Sequence, residues 1–130
     1  MQKEVPRRVE KPWGYELIWA EGAGYVGKIL HVRKGEILSL QYHQRKDETL
    51  YLLRGDIRLE VGRDRSDLRE VRLEPGDRIR IRPGTVHRLA AEEDSDVLEA
   101  STAELDDIVR LEDRYGRIPR GSDAKPSSRS

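Results

Sequence analysis

Residues 35–55 read GEILSLQYHQRKDETLYLLRG, and residues 76–87 read GDRIRIRPGTVH. In the first stretch the runs Ile37–His43 and Glu48–Arg54 are rich in apolar residues, with a polar break between them and Gly55 at the end. A β-strand sends alternate side chains to opposite faces, so Gln41 and His43 point the same way. A short turn over Gln44–Asp47 returns the chain with Glu48 at the head of the next strand, facing the same interior. His87 opens a later strand just after the Pro83-Gly84 turn. Two imidazoles, a carboxylate and an amide oxygen form an N/O set that suits Zn, Mn, Fe, Co or Ni, and the ligands alone do not choose among them. Positions left open on such an ion take a water or a substrate oxygen. Two readings stand for Gln41: a ligand through its amide oxygen, or an amide that only orients His43. His31, the remaining one of the three histidines, lies outside this spacing and reads as a surface or interface residue.

Outward from these stretches the pattern stays β. Short apolar runs at Tyr15–Ala20, Tyr25–Val32, Ile57–Val61, Arg69–Leu73, Arg78–Ile81, His87–Ala91 and Val97–Thr102 alternate with turn signals at Lys34-Gly35, Arg54-Gly55-Asp56, Pro75-Gly76-Asp77 and Pro83-Gly84. Many short strands without long helical periodicity predict an all-β antiparallel barrel or jelly roll. One short C-terminal helix is expected over Glu104–Glu112, where Leu105, Ile108, Val109 and Leu111 follow helical spacing and Ser101 or Thr102 can cap the start. The chain of 130 residues fits one domain. We expect an N-terminal extension over 1–8, a barrel over 9–117, and a disordered Ser/Pro/Gly-rich tail over 118–130.

Composition narrows the function classes. There is no cysteine, which removes disulfides, zinc–thiolate sites and thiol nucleophiles. Lys+Arg and Asp+Glu number 25 each, so nothing in the net charge draws the chain to nucleic acid or an anionic membrane. No apolar run approaches the roughly 20 residues of a membrane span. The polar start Met1-Gln2-Lys3-Glu4-Val5 lacks the apolar core of a signal peptide, and a cytoplasmic protein is expected.

The two stretches resemble the two signature motifs of the cupin superfamily, Gly-x5-His-x-His-x3–4-Glu-x6-Gly and Gly-x5-Pro-x-Gly-x2-His-x3-Asn. Gln41 stands where the first histidine is usual, Arg82 where the proline is, and Ala91 where the asparagine is. Gln-x-His is also the metal pattern of one class of phosphomannose isomerases. Glu10-Lys11-Pro12-Trp13-Gly14-Tyr15-Glu16 and Asp107–Arg117 look like segments of the cupin domain of type II mannose-6-phosphate isomerases. After the metal motif those enzymes usually read Glu-His-Trp, where this chain has Glu48-Thr49-Leu50.

The resemblance implies a cupin-type double-stranded β-helix holding one divalent ion, zinc first, on Gln41, His43, Glu48 and His87. It implies a sugar-phosphate isomerase that interconverts aldose and ketose phosphates, with a small-molecule substrate and a homodimer paired through edge strands. Lys46 and Arg117 are its candidate catalytic residues, and Lys46, Arg88 and Arg117 its candidate substrate-binding residues. Lys46 would need a depressed pKa to act as a base. Other cupin chemistries stand as the alternative: a dioxygenase, decarboxylase or epimerase, or a non-catalytic sugar- or metabolite-binding module.

Overall fold

The computed structural model describes residues 1–104, 106–118 and 126–127. Strand β5 (Glu48–Arg54) shows how the sequence sets the architecture: Glu48, Leu50 and Leu52 are buried, while Tyr51 and Leu53 are exposed. Such alternation requires one face against a core and the other toward solvent. The other strands are β1 (Arg7–Lys11), β2 (Gly14–Glu21), β3 (Val26–Val32), β4 (Leu40–Tyr42), β6 (Ile57–Gly62), β7 (Arg69–Leu73), β8 (Arg78–Ile81), β9 (Val86–Ala91), β10 (Ser95–Ser101), β11 (Ile108–Glu112) and β12 (Pro126–Ser127).

They form two six-stranded antiparallel sheets, ordered β1-β2-β3-β10-β5-β8 and β12-β11-β4-β9-β6-β7. Leu30, Leu50, Leu52 and Val97 of the first sheet share one apolar core with Ile57, Leu59, Leu73 and Leu89 of the second. The sheets therefore face each other as a jelly roll, and each such side chain contributes roughly 1.5–3 kcal/mol by leaving water. Trp13 (1% exposed), in the two-residue link between β1 and β2, joins this core. Gly55 shows why its turn needs glycine: its φ is +109°, and a Cβ there would lie 2.1 Å from Ser95 Oγ.

The expected C-terminal helix is absent: Ile108–Glu112 is strand β11, and Leu105 lies outside the described residues. Val109 and Arg110 pair with Tyr42 and Gln41 of β4. The helical spacing of the apolar residues was satisfied equally by a strand whose Ile108 and Val109 are both buried. Thr102 caps no helix. Its backbone N–H donates to the carbonyl of Asp47 (3.0 Å), and its hydroxyl accepts from the Asp47 N–H (3.1 Å). Strand β1 carries no apolar alternation of its own, since RRVEK offers only one apolar residue, and it forms by pairing with β2. The expected tail falls largely outside the described residues, apart from Ile118 and Pro126–Ser127, of which the latter pairs with β11. Among the described residues no helix is long and apolar enough to cross a membrane.

Candidate metal centre

Strand pairing brings the expected ligands together. Gln41 on β4 is the direct cross-strand partner of His87 on β9, so both face the interior. His43 directly follows β4, and Glu48 heads β5 opposite Ser101 of β10. The turn that carries the chain from His43 to Glu48 is held by one side chain. The Asp107 carboxylate accepts the backbone N–H groups of Gln44 (2.9 Å), Arg45 (2.6 Å) and Lys46 (2.8 Å). Burial works against the Asp107 charge, and these three donors outweigh it, so its pKa lies below the ordinary value.

Both imidazoles are oriented by backbone carbonyls. His43 Nδ1 donates to the Asp107 carbonyl (2.5 Å), and His87 Nδ1 donates to the Thr85 carbonyl (2.9 Å). This leaves both Nε2 atoms with lone pairs aimed at Glu48, 3.7 Å from its Oε2 for His43 and 3.6 Å from its Oε1 for His87. The Gly84 N–H also donates to the His43 carbonyl at 2.7 Å, tying the two histidine loops to each other.

Ligand atoms of His43, Glu48 and His87 all lie within 4.8 Å of one another, and all three residues are buried. Bonds of about 2.1 Å to one ion allow two donors to stand up to roughly 4 Å apart, so the 3.7 and 3.6 Å separations of the two imidazoles from Glu48 fit a shared metal. Gln41 Oε1 is buried without a hydrogen-bond partner among the described residues. Such an atom costs about 1–3 kcal/mol unless something accepts its lone pairs, and a cation beside the two imidazoles does so. Burial, opposed by the Glu48 charge and reinforced by Lys46 and His87, lowers the His43 pKa, which favours the neutral ligating form.

The surrounding interior is charged in a way the sequence did not disclose. Lys46 Nζ lies 3.2 Å from Glu48 Oε2 and 3.1 Å from Glu99 Oε2, and Lys28 pairs with Glu16 at 3.2 Å, all of them buried. Burial disfavours the Lys46 ammonium, but the carboxylates of Glu99 and Glu48 more than compensate, so its pKa is raised. The raised pKa favours the charged form of Lys46, held between the two carboxylates. Glu99 moves oppositely, held down to about 2 by Lys46 and Lys28 against the effect of burial. Burial, and then Arg117, lower the pKa of Arg110 on β11 to about 10. The cavity at the ligands, lined also by Leu30, Leu38, Leu50 and Leu89, measures about 30 Å³. That is room for an ion and about one water.

The other expected residues lie elsewhere. Arg88 alternates with the inward His87 and Leu89 and faces out, paired with Glu60 (2.9 Å) and Glu112 (3.2 Å). Arg117 binds the Asp113 carboxylate at 2.7 and 3.1 Å, and its guanidinium stands 5.5 Å from the centre of the Tyr115 ring. His31 stacks on Tyr15 (4.9 Å) and donates to Asp96 (2.7 Å) on the outer face of the first sheet. Asp107 and Glu99 are the residues that sequence reasoning missed. No local spacing marks either one, since their partners sit more than fifty positions away.

Comparison with known proteins agrees with this architecture. The cupin domain family model matches residues 28–100. The chain is similar to mannose-1-phosphate guanylyltransferase of Escherichia coli (strain K12), 34% identical over 123 residues, which cover 90% of this chain and 24% of that protein. It thus spans about a quarter of that relative's length. Among solved structures, KdgF from Halomonas sp. superposes with a TM-score of 0.64 at 24% identity, covering 77% of this chain and 88% of that one. A single-substitution variant of oxalate decarboxylase from Bacillus subtilis gives a TM-score of 0.72 at 16% identity, covering 82% of this chain and 30% of that one. At these identities the likeness of the two solved structures is one of fold.

Proposed function

The chain belongs to the cupin domain family, and from that premise we propose that it is a metal-dependent sugar-phosphate isomerase of the mannose-6-phosphate isomerase type. The observation that carries the reading is the convergence of His43, Glu48 and His87 beside the unpartnered Gln41 oxygen. The similarity to a mannose-1-phosphate guanylyltransferase supports a sugar phosphate as substrate. Gln41, His43, Glu48 and His87 would hold one divalent ion, zinc first, with manganese, iron, cobalt or nickel as alternatives. When bound, the ion supplies Lewis-acid polarisation of the sugar's C1 and C2 oxygens.

The chain's own residues would divide the rest of the work. The Asp107 and Thr85 carbonyls keep both imidazoles aimed inward. Lys46, ion-paired with Glu48 and Glu99, holds the Glu48 carboxylate in place and offsets negative charge that develops as a proton moves between the sugar carbons. Arg117, bound to Asp113, adds positive potential near Lys11 and Arg110 that draws an anionic substrate to the barrel. Arg88, on the outer face, takes no part. A homodimer in the cytoplasm completes the reading.

The test is metal content by elemental mass analysis, together with mannose 6-phosphate isomerisation, for wild type and His87→Ala side by side. Near-stoichiometric metal and turnover, both lost in the variant, are expected. Wild type that stays metal-free after reconstitution would overturn the reading. The small ligand cavity favours a second one, a metal-binding module without turnover. Full metal occupancy with no isomerisation would select it.

A further inference from the structure

The cavity at the ligands, about 30 Å³, is too small for a sugar phosphate, so a substrate needs a way in. The two sheets end in β8 and β7. Between these edges lies a cleft of about 930 Å³, a volume typical of small-molecule sites. Its inner wall adjoins the metal centre. Val61 is the cross-strand partner of His87, and Ile81 that of Glu48. Directly opposed residues share a sheet face, so both side chains point inward beside two ligands. The floor of the cleft includes Gly84 and Thr85, whose backbone groups bind the His43 carbonyl and the His87 ring.

The same geometry places a cation in line with the ligands. Arg69 on β7 pairs with Val61, so Arg69, Val61, His87 and Gln41 form one row across the second sheet. Arg69 lines the cleft and is exposed, and no hydrogen bond or ion pair engages its side chain among the described residues. Its neighbours differ: Arg63 is paired with Asp67 and Arg80 with Asp47. Two strand spacings, roughly 10 Å, separate the Arg69 and His87 backbones. A ligand that meets both is a short chain with an oxygen at one end and an anion at the other.

We propose that the cleft between β7 and β8 is the vestibule of the metal centre, with Arg69 anchoring the phosphate of an open-chain sugar phosphate and Val61 and Ile81 forming the inner constriction. This rests on His43, Glu48 and His87 holding a metal. It adds the phosphate contact that neither Lys46 nor Arg117 supplies.

The test uses glycerol 3-phosphate as probe and two NMR readouts. In metal-free protein, the probe shifts amide resonances of residues 61, 69 and 81, and Arg69→Leu weakens this binding tenfold or more. In manganese-loaded protein, the ion enhances phosphorus relaxation of the bound probe. That enhancement falls in Arg69→Leu while manganese affinity stays unchanged. Shifts that cluster near Lys11 and Arg117, or that survive the substitution, overturn the proposal. Manganese that fails to bind overturns the metal reading and the vestibule together, and shifts at 61, 69 and 81 would then mark a bare anion site. Bound manganese without enhanced phosphorus relaxation overturns the vestibule alone.

Discussion

Replacing Asp107 with alanine tests how the metal centre is assembled. Its carboxylate accepts three backbone N–H groups at 2.9, 2.6 and 2.8 Å, from the turn that joins His43 to Glu48. Bonds to a charged acceptor contribute about 1.5–3 kcal/mol each when shielded from water. Asp107 is half-buried, so about 1 kcal/mol each is the better figure, and Asp107→Ala should cost roughly 3 kcal/mol. The backbone carbonyl that orients His43 survives the substitution, but the turn that places Glu48 loosens. Zinc affinity should then fall about 10- to 100-fold, as is usual when a group supporting the ligands is lost. Urea unfolding of metal-free protein measures the first quantity, and calorimetric zinc titration the second. Asp107→Asn, which keeps one acceptor oxygen, should fall between. A variant that loses stability yet binds zinc as wild type does would refute the claim that this turn sets the ligand geometry.

Three further outcomes follow from the same structure. Lys46→Met leaves Glu48 and Glu99 buried without their cation and should cost about 3–5 kcal/mol in metal-free protein. Added zinc neutralises Glu48, so the melting-temperature gain on zinc addition should exceed that of wild type, and an equal or smaller gain contradicts the arrangement. Gly55→Ala meets both a φ of +109° and Ser95 at 2.1 Å, and should lose roughly 2–4 kcal/mol in thermal or urea unfolding. The Asp96 pKa is lowered because bonds from His31 and Arg54 outweigh the effect of burial. Its stabilisation is therefore complete above the unfolded value of about 3.9 and is lost as pH falls through the lower folded value. The stability difference between wild type and Asp96→Asn should stay constant from about pH 5.5 to 4.5 and shrink below about pH 3.9. A gap that does not change with acid would argue against it.

That Gln41, His43 and Glu48 share one interior face could be read in the sequence because it depends on short-range rules. Period-two alternation puts Gln41 and His43 on one face, and a four-residue turn returns Glu48 to it. Strands β5, β7 and β8 were legible for the same reason: each carries its own apolar alternation between turn residues. What escaped depends on partners distant in the chain. The Ile108, Val109 and Leu111 spacing suits a helix as well as a strand, and only the free edge of β4 decides between them. Glu99 reads as a polar interruption of an apolar strand until β10 pairs with β5 and brings it to Lys46. Asp107 looks like any loop aspartate until the fold sets three N–H groups against it. Arg88 stands on the face opposite His87 because adjacent residues of a strand point to opposite sides.

The bond from the Gly84 amide to the His43 carbonyl bears on how the chain can vary in length. Pro83–Thr85 orients one imidazole directly and is fastened to the strand end that carries the other. A residue added or removed there would misalign both halves of the centre at once. The tip of the β6–β7 hairpin is different: among the described residues its Asp67 and Asp64 carboxylates bind groups of the same tip, from Arg63 to Ser66, and an exposed ion pair of Arg65 with Glu112 (2.6 Å) ties it to β11 without touching the ligands. Loop-length changes should therefore be accepted at the rim of the cleft and rejected at its floor, so the rim can be reshaped while His43, Glu48 and His87 stay in register.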